Sequence, residues 1–261
     1  MKKPTAPRPA PLPLAGRTAI VTGSGRNIGK AIALHLARAG ANVVVNGHRN
    51  RAALDAVVSQ ITAEGGSALA VLADVGNAAA VQKMVKTAER KFGQVDIAIS
   101  NVSVRLHQPF LDLTVRDWNT TLNSNLNSSF YLARAVIPGM IKRKWGRIIH
   151  ISGEDGFVAH IASRAHNIVC KAGVHAFAKA LATEFAMHGI TANTVSPGSI
   201  ETQRDWSQYP KNWRKMRLGQ IPLKKIGRVD DIATACLFLA ADSGSFITGQ
   251  VIHVNGGQFM Y

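Results

Sequence analysis

The chain is predicted to be an α/β protein, a doubly wound parallel sheet with helices on both faces, folded as a single domain. Three observations predict it. Short apolar runs alternate with longer amphipathic ones from Arg17 onward, and that alternation gives parallel strands joined by crossover helices. A glycine-rich stretch, TGSGRNIG at 22–29, stands where the first apolar run hands over to the first amphipathic one. The 261 residues are 46% hydrophobic, with no internal repeat and no second composition regime, so one substantial core is expected.

Each element follows from its local pattern. Residues 1–14, MKKPTAPRPAPLPL, are basic and proline-rich without an apolar stretch. They read as a disordered tail ahead of a folded domain at 15–261, and not as a secretory signal. TAIVTG is a strand, and IGKAIALHLARAG carries apolar residues at helical spacing up to a glycine stop. ANVVVNG is a second strand, and RAALDAVVSQITAEGG a helix ended by paired glycines. ALAVLADV, AAVQKMVKTAERKFG and VDIAISN repeat strand, helix and strand. A long helix is predicted over about 115–144, a strand at GRIIHIS and a helix at about 164–188. ITANTVSPG is a strand, followed by an irregular segment, a helix at about 229–241 and a last strand in GQVIHVNGG.

Charge and cysteine content restrict the function. Thirty-one basic against 15 acidic side chains give a net charge of +16. Such an excess suits nucleic acid, an anionic membrane surface or an anionic substrate. The basic residues are dispersed and no groove-reading element accompanies them, so no nucleic-acid partner is expected. No apolar run is long enough to span a bilayer. Cys170 and Cys236 lie far apart without metal-ligand spacing. Free thiols, a cytoplasmic location and no metal are the expectation.

The chemistry is expected at the glycine turn. After a buried strand and before a helix, glycines let the backbone approach a pyrophosphate, and the helix N-terminus attracts its charge. An enzyme that prefers NAD places an acid after the second strand to take the ribose 2′-hydroxyl. Here that place reads Asn46-Gly47-His48-Arg49, with Arg26 in the glycine turn. A 2′-phosphate suits guanidinium and not carboxylate, so NADP(H) is expected in preference to NAD(H), held through Arg26 with His48 or Arg49.

Thr22, Gly23, Gly25, Ile28 and Gly29 fit a TGxxxGxG turn, with Asn27 at the usual middle glycine. Asp74-Val75, SNVS at 100–103 with Asn101, Asn125, Lys171, and Pro197-Gly198 followed by Ile200 and Thr202 come in a familiar order, as do IPLKKIGRVDDIA and ITGQVIHVNGG. Over roughly residues 15–259 the chain resembles the short-chain dehydrogenase/reductase family in its ~250-residue form. The resemblance implies a Rossmann-like fold. It implies adenine contacts from Asp74 and Val75, and a nicotinamide held by Pro197, Gly198, Ile200 and Thr202. Lys171 would hold the nicotinamide ribose. It also implies a homotetramer or homodimer, through the helices at 115–144 and 164–188.

The family's reaction uses a tyrosine four residues before the lysine, which places both on one helix face. Here that position is Asn167, within AHNIVCKAG at 165–173. A carboxamide hydrogen-bonds but donates no proton near neutral pH. The family's serine at the end of GRIIHIS is replaced by Gly153 or Glu154, depending on how one extra loop residue is placed, and Ser152 just before it is expected to point to the other side of the strand. Asn125 and Lys171 remain. His166, Glu154, Asp155, His160 and Tyr209 are the candidate substitutes for the phenol. Segment 201–228 adds Arg204, Lys211, Arg214, Lys215, Arg217, Lys224, Lys225 and Arg228, interleaved with Trp206, Tyr209 and Trp213, against Glu201 and Asp205. That composition suits an anionic small-molecule substrate.

Three functions follow from these readings. The first is an NADP(H)-dependent oxidoreductase with an atypical proton donor. The second is a cofactor-binding protein of the same fold without hydride transfer, whether regulator, partner subunit or lyase. The third is a binding module for anionic polymers, for which charge alone argues.

Overall fold

The computed structural model describes residues 12–159, 162–203 and 210–260. Most of the basic tail (1–11), His160, and Arg204, Asp205, Trp206 and Tyr209 lie outside the described residues.

The elements run β1 (Thr18–Val21), α1 (Asn27–Arg38), β2 (Asn42–Gly47), α2 (Arg51–Ala63), β3 (Ser67–Leu72), α3 (Ala78–Phe92) and β4 (Ile97–Ser100). They continue through α4 (Val115–Leu122), α5 (Ser128–Arg143), β5 (Gly146–Ile151), α6 (Ala165–Phe185), β6 (Ile190–Pro197), α7 (Trp213–Gln220), α8 (Val229–Ala240) and β7 (Val251–Val254). The strands form one sheet in the order β3-β2-β1-β4-β5-β6-β7. Every neighbouring pair is parallel. Central strands have no solvent-facing side, which is why β1 reads TAIV without alternation and is buried throughout.

Two apolar layers cover the sheet. On one face α1, α2 and α8 supply Ile32, Leu36, Leu54, Val57, Ile232 and Leu239. On the other, α3, α5 and α6 supply Val81, Met84, Leu132, Val136 and Leu181. Strand order reverses between β1 and β4, and the crevice at such a reversal, outside the carboxyl ends of the strands, is where open α/β sheets bind ligands.

Two predicted elements differ. The long helix at 115–144 is interrupted by a π-helical turn, Asn123–Asn127, between α4 and α5. The apolar spacing continues across the break, so periodicity alone does not reveal it. The segment read as irregular contains α7, WRKMRLGQ. Among its residues only Trp213 is buried, packed with Ile221 and Ile226, so it carries almost no apolar stripe to detect.

Candidate active site

A cavity of about 640 Å³ opens at the carboxyl end of the sheet. One wall is the β1–α1 turn, with Gly23, Arg26, Ile28 and Gly29. Gly29 is required by packing, since a Cβ there would collide with the Gly23 carbonyl oxygen. Asn27 takes the middle-glycine place in a left-handed conformation, φ 49°, which Asn tolerates better than most residues. Its carboxamide then pairs reciprocally with the main chain of Gln203. Nδ2 donates to the Gln203 carbonyl at 3.0 Å, and the Gln203 amide donates to Oδ1 at 2.9 Å. Asn101 crosses from β4 and donates to the carbonyls of Thr22 (2.9 Å) and Gly23 (3.2 Å). Pro197, Gly198, Ile200 and Thr202 form the opposite wall.

These residues fit a dinucleotide, because glycines and a helix N-terminus face the cavity and no carboxylate ends β2. Gly25 opens instead onto a neighbouring groove shared with Arg26 and Lys30. His48 and Arg49 are exposed after β2 and do not line the cavity. His48 Nε2 stands 3.9 Å from Asp74 Oδ2. Asp74 accepts from the Gly76 amide at 2.9 Å, and Val75 is buried in the core.

Deeper in, Asn125 and Asn167 meet behind the cavity wall, with Lys171 buried one helical turn beyond. Asn125 comes from the π-helical turn, a local irregularity common at functional sites. It brackets Val104, accepting from its amide and donating to its carbonyl, each at 2.7 Å. Its Nδ2 also approaches Asn167 Oδ1 at 3.4 Å. Asn167 is fully buried, and its own Nδ2 donates to Asp155 Oδ2 at 3.3 Å. Lys171, one turn on, donates to the Ile151 carbonyl at 3.1 Å. Burial, reinforced by the charge of Arg105, pushes its ammonium down to about 7.

The other predicted substitutes are scattered. Ser152 faces away from the cavity, its Oγ 2.8 Å from His175 Nε2, both buried. Gly153 and Glu154 do line the cavity. Glu154 accepts from Gln258 Nε2 at 3.1 Å and lies 4.0 Å from Arg217 Nη1. His166 is fully buried, away from the cavity, with both ring nitrogens unpartnered among the described residues. Burial lowers its pKa. The rotation of about 100° per helical residue that separates it from Asn167 explains the divergence.

The structure adds residues that sequence reasoning missed. Arg164 sits at the N-terminal boundary of α6, 3.2 Å from Asp155 Oδ2, and grips His107. Both line the cavity together with Arg105 and Arg217. His107 and Arg105 follow SNVS without a motif of their own, so only the fold brings them to Asp155. Counting Arg26, the cavity presents four arginines against Glu154 and Asp155. Among the described residues no group of His, Cys, Asp and Glu forms a metal site, and no helix is long and apolar enough to cross a membrane.

Comparison with known proteins agrees with this geometry. A family profile described as enoyl-(acyl carrier protein) reductase matches residues 23–258. The 3-oxoacyl-[acyl-carrier-protein] reductase of Synechocystis is 38% identical over 250 residues, covering 95% of this chain and 99% of that one. A (2S)-[(R)-hydroxy(phenyl)methyl]succinyl-CoA dehydrogenase subunit of Thauera aromatica is 37% identical, covering 95% and 98%. A short-chain dehydrogenase of Burkholderia cenocepacia, solved in complex with NADP, superposes with a TM-score of 0.87 at 28% identity, covering 94% of this chain and 99% of that one. With the glycine turn, Asn125 and Lys171 on this sheet, the chain belongs to the short-chain dehydrogenase/reductase family of oxidoreductases.

Proposed function

We propose that the protein is an NADP(H)-dependent oxidoreductase that interconverts the carbonyl and alcohol of a small anionic substrate without a tyrosine proton relay. The observation that carries this reading is the single cavity in which the glycine turn and the 197–202 wall meet an arginine-rich loop cluster. The bound cofactor would supply hydride. Gly23, Ile28 and Asn101 shape its cradle and Arg26 would meet a 2′-phosphate; Lys171, buried behind the cavity wall, would have to turn from the Ile151 carbonyl to hold the nicotinamide ribose. Arg105 and Arg217 supply charge toward an anionic group on the substrate. The two relatives act, by their names, on acyl-carrier-protein and CoA derivatives, which makes acyl thioesters the first carbonyls to try. The test is a fluorescence titration with NADPH and NADH beside turnover of a carbonyl panel that includes carboxylate-bearing members. Tight NADPH binding with turnover supports the reading; a preference for NADH, or neutral ketones turned over as well as anionic ones, removes the corresponding part.

A second reading, cofactor binding without hydride transfer, is favoured by one observation. Asn167 is buried with its carboxamide already engaged by Asn125 and Asp155. NADPH binding with no turnover across the panel would establish it. The expected assembly is a homotetramer or homodimer, and the expected location cytoplasmic.

A further inference from the structure

The Tyr position offers no proton donor, but the cavity wall holds a ring whose hydrogen bonds define where its proton sits. His107 lies in the loop between β4 and α4, which is fastened at both ends. Asn125 brackets Val104, and the Gln108 amide donates to the Ser163 carbonyl at 2.9 Å. Two nitrogens of Arg164, Nε at 3.2 Å and Nη2 at 2.7 Å, converge on His107 Nε2. A guanidinium only donates, so Nε2 carries the lone pair and the ring proton is on Nδ1. Nδ1 has no hydrogen-bond partner among the described residues. Asp155 holds Arg164 from behind at 3.2 Å. The same carboxylate oxygen takes the Asn167 amide, which links this cluster to the Tyr position.

We propose that His107 donates its Nδ1–H to the substrate's carbonyl oxygen, with Arg164 and Asp155 as the residues that position the ring. The inference rests on the reductase reading above. As the carbonyl carbon gains hydride, the C=O π pair moves to oxygen. The oxyanion is held by Nδ1–H, then takes a proton from cavity water and leaves hydroxide to the solvent. The ring is a neutral donor throughout. Partial desolvation in the cavity wall, and then the charges of Arg164 and Arg105, lower its pKa and disfavour the imidazolium.

Two measurements test this. In apo protein labelled with ¹⁵N-histidine, the ring signals that vanish in His107→Leu should show a protonated Nδ1 and a bare Nε2 at neutral pH; an imidazolium or an Nε2–H tautomer overturns the proposal. In turnover, His107→Leu should lower kcat about 10²–10³-fold, the usual loss of one oxyanion donor, with NADPH affinity unchanged. His107→Asn, which keeps an N–H near the Nδ1 position, should recover to within about tenfold of wild type. Equal losses in both variants would make the ring merely structural and sink the idea, as would His107→Leu retaining more than about a third of kcat. A kcat step near the histidine pKa that disappears in His107→Leu would show proton transfer from an imidazolium instead and refute the neutral donor. Failure of the wild type to reduce any carbonyl, despite binding NADPH, would remove the reductase reading itself.

Discussion

Arg26 and Arg49 look alike in the sequence as partners for a 2′-phosphate, but they are not equivalent in space. Arg26 lines the cavity and Arg49 stands exposed beyond it. Arg26→Asp should therefore cost about ten- to hundredfold in NADPH affinity, the worth of a charge-assisted hydrogen bond, while leaving NADH almost unaffected; Arg49→Asp should do less. Isothermal titration of both cofactors checks the order, and a larger effect at Arg49 would reassign the contact. Positions 153 and 167 have a similar asymmetry. At Gly153 an added Cβ would meet only the Pro197 carbonyl, at 3.9 Å, so Gly153→Ser should be tolerated. Asn167 is enclosed, with Asp155 against its amide. A phenol there must displace Asp155 and break its pair with Arg164. Gly153→Ser with Asn167→Tyr should gain little carbonyl reduction until Asp155→Ala makes room. The triple variant should then gain within the 10²–10⁴ range, roughly, of a general acid. Steady-state rates on one ketone decide it.

At the scale of elements, the π-helical turn between α4 and α5 does what a continuous helix does not. It sets Asn125 so that both ends of its carboxamide meet Val104. That clamp carries the loop bearing Arg105 and His107. Asn125→Ala should cost about 1–3 kcal/mol, since it leaves main-chain groups unpaired. It should also speed amide exchange at residues 104–108 selectively. Hydrogen exchange by mass spectrometry reads this, and uniform protection along the loop in the variant would contradict it. The helix at 115–144 was legible from its spacing, but its interruption was not. A π-turn is one extra residue in a ladder whose apolar positions still fall on the buried side. α7 escaped for a different reason. A helix that buries one tryptophan, with Arg214 turned outward and Arg217 turned to the cavity, has no apolar stripe to read.

Across the whole molecule, the burial that makes a parallel sheet also traps titratable groups. His150 in β5 is almost fully buried, with neither ring nitrogen hydrogen-bonded among the described residues, beside Phe177. Burial pushes its pKa down to about 4. The folded value lies below the unfolded value, so the unfolded chain takes up the proton first. Stability from this group is complete above about pH 6.5 and falls as pH drops toward 4. The span corresponds to roughly 3 kcal/mol. His150→Phe should flatten that part of the pH profile of urea midpoints; an unchanged slope would place the acid sensitivity elsewhere. Apolar side chains are also exposed on the helices, with Phe130 on α5, Val169 on α6 and Phe238 on α8. Light scattering at micromolar concentration should give a dimer or tetramer, and a monomer would leave those side chains unaccounted for.

The sequence by itself determined the alternation of strands and helices, the parallel sheet and the position of the glycine turn. Those features rest on local periodicity and on residues that only certain backbones accept. It also set Asn167 on the same helix face as Lys171, because spacing along one helix fixes which residues share a face. What it did not contain was the company Asn167 keeps. Asp155, Arg164 and His107 come from a 3-10 turn after β5, a helix start and a distant loop, up to 57 positions apart. No motif spacing records contacts of that range. Their meeting depends on the crossovers that bring the carboxyl ends of β4 and β5 side by side, and on Asn125 fixing the loop between them. The candidate site is therefore legible in the sequence as a place in the fold, and which side chains meet there is decided by the tertiary structure.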